Sequence, residues 1–329
     1  VAKKYQVLGV GNAIVDVIAR VDDSFLEEHG SEKGSMMLVD SAQSANIYNS
    51  MPPTEEHSGG SAANTMAGIA GLGGSAAFVG KVKADQLGSI FRHDIKAVGV
   101  EFLSAPAVDG PATANCMILV TPDGQRTMHT FLGACVNLST DDISVRDIAE
   151  ADVVYFEGYL WDMPQAKKAF VEAMEIAYEE GSQVALTLSD SFCVGRFREE
   201  FLDLTKKHVD ILFANEDEIK ALYKVETFDE ALSLVRKDVA IAAITRSEKG
   251  CVIATEDHVV TVAAEPTQVV DTTGAGDLFA AGFLFGHTRG YSLKKSGKIG
   301  CIAAAEIISH VGARPIEDLA ALVKKKLND

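Results

Sequence analysis

The chain is short of positive charge. Thirty Lys and Arg stand against 47 Asp and Glu, a formal net charge of −17. That balance argues against nucleic acid and against an anionic membrane as partners. It does not exclude a small anionic ligand, which needs only a local positive field. Cysteine is sparse too: Cys116, Cys135, Cys193, Cys251 and Cys301 are scattered, odd in number and without metal-type spacing. They read as reduced core residues, and with no signal peptide in view a cytoplasmic location is expected. No apolar run is long and clean enough to span a bilayer. The small apolar stretch from Cys301 to Ile308 is flanked by charge and reads as a buried helix. Two common phosphate-binding patterns are also missing. The segment His57-Ser58-Gly59-Gly60-Ser61-Ala62-Ala63-Asn64 lacks the Lys-Ser/Thr ending of a P-loop, and its glycine spacing is wrong for a dinucleotide fingerprint. No other stretch supplies either one.

What is present is apolar mass in an alternating order. The 329 residues are 47% apolar, enough for a large core in about two average domains or one large α/β domain with an insertion. Tyr5 to Val10, Ala76 to Val79, Asp152 to Phe156, Gln183 to Leu188, Val209 to Ala214 and Ala240 to Thr245 read as strands. Asn64 to Leu72, Gln86 to Val98, Gln165 to Glu180 and Glu216 to Tyr223 read as helices. Repeated βα units predict a mostly parallel sheet with helices on both faces. In such sheets ligands sit at the carboxyl ends of the strands.

Two regions break the alternation. Ile14 to Val21 and Met36 to Val39 are strand-like without a helix of the expected length between them. Ala112 to Val120 and Gln125 to Leu132 read as a hairpin around the turn Thr121-Pro122-Asp123-Gly124. Together they form either a small β-lid built from two insertions or an antiparallel edge of the main sheet. The lid reading divides the chain into a large α/β unit (1–11, 51–104 and 136–329) and a lid unit (12–50 and 105–135).

The strongest single feature is Asp271-Thr272-Thr273-Gly274-Ala275-Gly276-Asp277, followed by Leu278 to Leu284. It reads as a strand end (Thr267 to Val270), a glycine turn and the start of a helix apolar nearly all round. Small residues at 274 to 276 let a ligand touch the backbone. The amides there sit at a helix N-terminus, where orphan N–H groups and the dipole favour an anion. Asp277 puts a carboxylate beside that hole, which suits orienting or deprotonating an acceptor hydroxyl in phosphoryl transfer. A capped helix with Asp277 facing the dipole is the plainer alternative.

Other polar positions stand out. Asn12 and Asp16 interrupt an apolar alternation at a two-residue period, so both fall on one face. A carboxylate there must find donors or stay wet. Vicinal sugar hydroxyls are suitable donors, and a solvated lid face is the alternative. Gly59 and Gly60 precede a helix and permit close backbone approach, with Ser61 or Asn64 placed to hydrogen-bond a polyol. A flexible turn with Ser61 as N-cap reads equally from the residues.

These pieces together resemble the ribokinase-like (PfkB) family of carbohydrate and nucleoside kinases, over essentially the whole chain. DTTGAGDLFAAGFL matches the carboxyl-terminal signature in full. Gly59-Gly60 with Asn64, then Gly80 and Gly88 in VGKVKADQLG, match the amino-terminal one. Within the family the first third is most similar to adenosine kinases, on GNAIVDV, VDDSFLEEHGSEKGSMMLVD and HSGGSAAN. The resemblance implies a ribokinase-like three-layer sandwich with a small β-sheet lid. It implies Asp277 as the catalytic base and the amides of Gly274, Ala275 and Gly276 as the anion hole. It places Asn12 and Asp16 on ribose hydroxyls and Gly60 and Asn64 in the substrate loop. Arg126, otherwise a surface charge on a hairpin, is implied to reach the transferring phosphates.

The same resemblance implies ATP and magnesium. Asn215 and Glu218 match an N-x-x-E motif near magnesium and its waters; read alone they are an acid-rich helix start. Thr245 and Gly250 match the nucleotide-binding turn, and Gly312 lies in the segment bordering the adenine of ATP. Asp271 and Thr273 are candidates for a monovalent cation such as potassium. Tyr159, Leu160, Met37, Phe102 and Phe131 are candidates to stack on a purine, or else core. The expected reaction is phosphorylation of the 5′-hydroxyl of a nucleoside, adenosine first, in purine salvage. The alternatives are ribose, fructose, inosine or guanosine as acceptor, or a nucleotide-binding sensor without turnover. The protein is expected to be a monomer, or a homodimer paired through its lid.

Overall fold

The computed structural model describes residues 3–328. A nine-stranded sheet forms the centre. Seven of its strands run parallel: β1 (Tyr5–Val10), β5 (Ala76–Val79), β6 (Val100–Phe102), β9 (Ala151–Glu157), β10 (Gln183–Thr187), β11 (Ile211–Asn215) and β12 (Ile241–Thr245). At one edge β13 (Cys251–Ala254) and β14 (Val259–Val262) continue it antiparallel, so the spatial order is β14-β13-β12-β11-β10-β9-β1-β5-β6. The parallel strands are buried on both faces, which is why they read as near-continuous apolar runs.

Helices cover both faces: α3 (Ser61–Gly71), α4 (Gln86–Ala97), α5 (Val145–Ala149), α6 (Pro164–Glu179), α7 (Ser191–His208), α8 (Glu216–Tyr223), α9 (Phe228–Asp238), α10 (Ala275–Thr288), α11 (Leu293–Ile307) and α12 (Leu319–Asn328). One apolar cluster lies beneath α3, α10 and α11, and another beneath α6, α7, α8 and α9. Helix α10 is buried from Leu278 to Gly286. Its close approach to α3 depends on Gly68, where an added Cβ would meet the Ala281 Cβ at 2.6 Å.

The four strands outside the alternation form a separate five-stranded sheet with one more member. The order is β3 (Met36–Leu38), β8 (Arg126–Phe131), β7 (Ala114–Val120), β2 (Ile14–Arg20) and β4 (Glu55–Gly59). The lid reading therefore holds over the edge-of-sheet reading. Two helices absent from the sequence reading, α1 (Asp23–Glu28) and α2 (Ser41–Ser50), fill the first insertion. Strand β4 is new too. Its first residues are charged and largely exposed, so it has no apolar period, and pairing with β2 defines it.

One expected strand does not form. Thr267 to Val270 is exposed and belongs to neither sheet. Its β-branched pair Val269 and Val270 suits a strand, but the backbone instead hangs on the end of α11, through Val270 N–H to Ile308 O at 2.8 Å.

Candidate active site

Helices α3 and α10 bring their N-termini together. Gly60 caps α3 at φ 96°, and a Cβ there would lie 2.2 Å from Asn12 O. Gly274 caps α10 at φ 79° with no side-chain hydrogen bond. Only glycine takes such angles without strain. Asp277 is the third residue of α10. It accepts from Ser61 Oγ at 2.6 Å and Asn64 Nδ2 at 3.0 Å. Ser61 and Asn64 were expected to face a polyol; here both hold the expected base. Burial pushes the Asp277 carboxyl up, and the Ser61 and Asn64 donors and the Arg314 charge pull it back.

The amide-lined mouth has no side-chain cap. The first amides of a helix have no intrahelical partner, and Ala275 N–H is turned to Thr272 O at 3.2 Å. A Cβ built on Gly276 would meet nothing within 4 Å. The loop before it is braced: Asp271 Oδ1 accepts from Thr273 N and Oγ1 at 3.0 and 2.8 Å, and Asp271 Oδ2 accepts from Gly312 N at 3.0 Å.

Arg126 reaches this loop from the lid. Its guanidinium pairs with Asp271 Oδ2 and donates to Thr273 Oγ1 at 2.8 Å. The side-chain oxygens of Asp271 and Thr273, expected as candidates for a monovalent cation, here face this guanidinium and the amides of Thr273 and Gly312. The same pairing locates Arg126 beside the mouth of α10.

Asp16 lies over the glycine pair. A Cβ on Gly59 would fall 2.4 Å from Asp16 Oδ2. Burial pushes the Asp16 carboxyl up to about 6, with the Asp277 charge adding to the shift and Arg314, Arg126 and His57 pulling it back. Asn12 does not share its face. It is buried at 4% exposure and gives its backbone N–H and Nδ2 to Glu157 Oε1, at 2.9 and 2.6 Å. Glu157 Oε2 accepts from Ala62 N at 2.7 Å. This fully buried carboxylate ties the start of the lid to the start of α3. Burial pushes it up to about 7 against those three donors.

A part-buried carboxylate beside uncapped helix-start amides, on the strand-end side of a doubly covered sheet, is an arrangement suited to handling a transferred anion. The sequence profile of the pfkB family carbohydrate kinases matches residues 34–319. The chain belongs to that family. It has the ribokinase-like fold and is a phosphotransferase with an alcohol acceptor. The adenosine kinase from Sinorhizobium meliloti is 53% identical, with a TM-score of 0.90, over 98% of this chain and 99% of that one. A probable sugar kinase from Rhizobium etli CFN 42 is 50% identical, with a TM-score of 0.91, over the same shares. An uncharacterized sugar kinase from Archaeoglobus fulgidus is 29% identical over 253 residues, 75% of this chain and 96% of that protein.

Asn215 and Glu218, expected near magnesium and the nucleotide, close a reciprocal cap on α8. Asn215 Oδ1 accepts from Asp217 N and Glu218 N at 2.9 and 2.8 Å, while Glu218 accepts from Asn215 Nδ2 and N at 2.6 and 2.9 Å. Burial raises the Glu218 carboxyl to about 7, with Asp190 and Asp217 adding to the shift. No cation is among the charges acting on it. Thr245 ends β12, and Gly250 closes the next turn by accepting from Arg246 N at 2.8 Å. Gly312 sits at φ 105° beside Asp271.

Of the stacking candidates, Leu160 and Phe102 are core residues, at 3% and 7% exposure, and Phe131 packs partly buried against the core. Tyr159 and Met37 remain open at 40% each. Two residues that shape the site went unread in the sequence, Glu157 and Arg314. Glu157 ends an apolar strand, where a lone acid is a usable signal. Arg314 sits among loop residues with no pattern around it. Among the described residues no helix is long and apolar enough to cross a membrane.

Proposed function

We propose that this kinase transfers the terminal phosphoryl group of ATP to the 5′-hydroxyl of a nucleoside, with adenosine as the preferred acceptor. The observation that carries the reaction is Asp277, part-buried at the third position of a helix whose first amides have no side-chain cap. Such a carboxylate orients the acceptor hydroxyl and takes its proton, while the amides of Gly274, Ala275 and Gly276 receive the phosphoryl oxygens. A loose transition state asks for positioning and charge stabilisation more than for a strong base. Asp16 binds ribose hydroxyls over Gly59-Gly60. Ser61 and Asn64 act through Asp277, and Asn12 acts through Glu157. Arg126 brings lid charge to the phosphates as the lid excludes water.

Magnesium would supply charge neutralisation at the phosphates when bound with ATP, held on the protein side through water by Glu218. Glu218 fits a role through water: both oxygens already accept from Asn215, each has a further lone pair, and its charged neighbours are acidic. Among the described residues no cluster of three or more His, Cys, Asp or Glu forms a cage, which suits a metal that keeps its waters. Thr245, Gly250 and Gly312 border the nucleotide.

The nucleoside reading leans on the 53% identity with the Sinorhizobium meliloti adenosine kinase over nearly the whole chain. The second reading, a sugar acceptor, leans on the 50% identity with the Rhizobium etli probable sugar kinase. ADP release with magnesium and ATP, measured across adenosine, inosine, guanosine, ribose and fructose, separates them. Preference for adenosine is expected. Preference for ribose or fructose would keep the transfer chemistry and overturn the nucleoside.

A further inference from the structure

Arg314 lies far from both glycine signatures in sequence, yet its fork closes on the first of them. Nε and Nη2 donate to Ser58 O at 3.1 and 2.6 Å, Nη2 also donates to Ser58 Oγ at 2.8 Å, and Nη1 donates to Ala63 O at 3.1 Å. These carbonyls flank Gly59-Gly60 on either side. Ser58 is held from behind as well, because its N–H and Oγ both donate to Asp94 Oδ2, at 2.7 and 2.6 Å. The glycine pair has no side chains of its own to fix its path, so the guanidinium and Asp94 set it from outside.

The same guanidinium is the leading cationic influence on both acids of the site. Asp16 is faced by Arg314, Arg126 and His57 as cations and by Asp277 as an anion. Asp277 is faced by Ser61, Asn64 and Arg314. Glu157 and Tyr155 feel the Asp277 charge from β9, and Cys116 feels that of Asp16 from β7. Arg314 itself is pushed down by burial and supported by Asp94, Asp16 and Asp277.

We propose that Arg314 is a positioning residue of this kinase: it fixes the Gly59-Gly60 loop under the acceptor, beside Asp16 and Asp277. The inference deepens the proposed function and rests on its assignment of Asp16 and Asp277 to the acceptor side. Arg314 touches neither substrate nor phosphate in this scheme. Its effect falls on acceptor binding through loop placement and on the two acids through charge. Two like charges in a covered pocket raise each other's proton affinity, and a nearby cation offsets this. Lysine replaces the charge but not the fork that spans two carbonyls.

The test compares wild type, Arg314→Met and Arg314→Lys, each checked by thermal melting. Acceptor and ATP kinetics are followed from about pH 5 to 8.5, with His57→Gln as a control for the other titratable cation facing Asp16. For Arg314→Met the acceptor KM should rise roughly tenfold with ATP KM nearly unchanged, and the acid limb of kcat/KM should move up by ~1 pH unit. Arg314→Lys should return the acid limb toward wild type while keeping much of the KM defect. An unmoved acid limb in Arg314→Met, or equal losses in both substrates at every pH, would reduce Arg314 to packing and overturn the proposal. If Arg314→Met does not fold, Arg314→Lys decides alone: a raised acceptor KM with an unmoved limb supports the role, and a wild-type KM overturns it. Wild-type preference for ribose or fructose would overturn the nucleoside assignment separately, and the Arg314 series is then read with that sugar.

Discussion

Two helices of this kinase begin with an acid at the same position and use it in opposite ways. Helix α8 starts after Asn215 and α10 starts after Gly274, and the third residues are Glu218 and Asp277. Asn215 caps the amides of α8, and Glu218 returns the bond to Asn215, so the box is closed on itself. Gly274 has no side chain to offer. No side chain caps the amides of α10, and Asp277 turns to Ser61 and Asn64 on another helix. The difference lies in one residue, the N-cap. A capping side chain makes a stable helix start, and its absence leaves a start suited to an anion, with its acid positioned by distant groups.

The sharpest way to break the contrast is to neutralise the acid that is not consumed. Asp277→Asn keeps the shape and should cost about a hundredfold or more in kcat with nucleotide binding retained. Retention of most of the rate in single-turnover assays would remove Asp277 from the proton-handling role. Next in size is the mouth itself. Because a Cβ on Gly276 meets nothing within 4 Å, Gly276→Val should fold and place its methyls where the phosphoryl oxygens go. A loss of roughly a hundredfold in kcat is expected, with an unchanged melting temperature. Near-normal turnover would refute the anion-hole assignment.

How far the sequence predicts this contrast differs between its halves. The glycine turns and the buried run of α10 are legible because they are local: small residues at fixed offsets, then an apolar helix. The N-x-x-E box is legible for the same reason. The partners of Asp277 are not. Ser61 and Asn64 lie 216 and 213 residues away, and their own surroundings suggest a polyol contact or a cap. Asn12 was expected on the face of Asp16, but it precedes β2 and turns to Glu157, so the strand period does not apply to it. Arg126 finding Asp271 and Thr273, and Arg314 finding Ser58, are likewise products of folding, with no trace in residue spacing.

The α8 half is sharpened by pH. Glu218 is raised to about 7 in the folded chain, against roughly 4.3 when unfolded. Between these values the folded state keeps a proton that the unfolded state has released, so stability falls as pH rises from about 4.5 to about 7. Glu218→Gln can still accept from Asn215, as glutamine does in other capping boxes, and it carries no charge to desolvate. Urea midpoints should fall less steeply across that window in the variant, with a gain of up to a few kcal/mol above pH 7. An identical slope in both proteins would mean that Glu218 stays ionised throughout, as a carboxylate with a bound cation would.

The smallest expected effect is also the most discriminating between the two helix starts. Asn215→Ala removes the side chain that satisfies Asp217 N and Glu218 N and takes a donor from Glu218. The loss of an N-cap costs about 1 kcal/mol, a shift of a few degrees or less in Tm for a chain this long. The adverse change should therefore appear in stability, while acceptor KM stays at its wild-type value, since the proposed function assigns Asn215 and Glu218 to the nucleotide side. Gly274→Ser is the mirror substitution: it offers a cap to α10 at φ 79°, where a Cβ would lie 3.2 Å from that of Ala313. Activity should be lost there out of proportion to stability, because the added hydroxyl competes for the amides the phosphoryl group requires. If both variants lost stability and activity in the same ratio, the N-cap would not be what separates the structural helix start from the catalytic one.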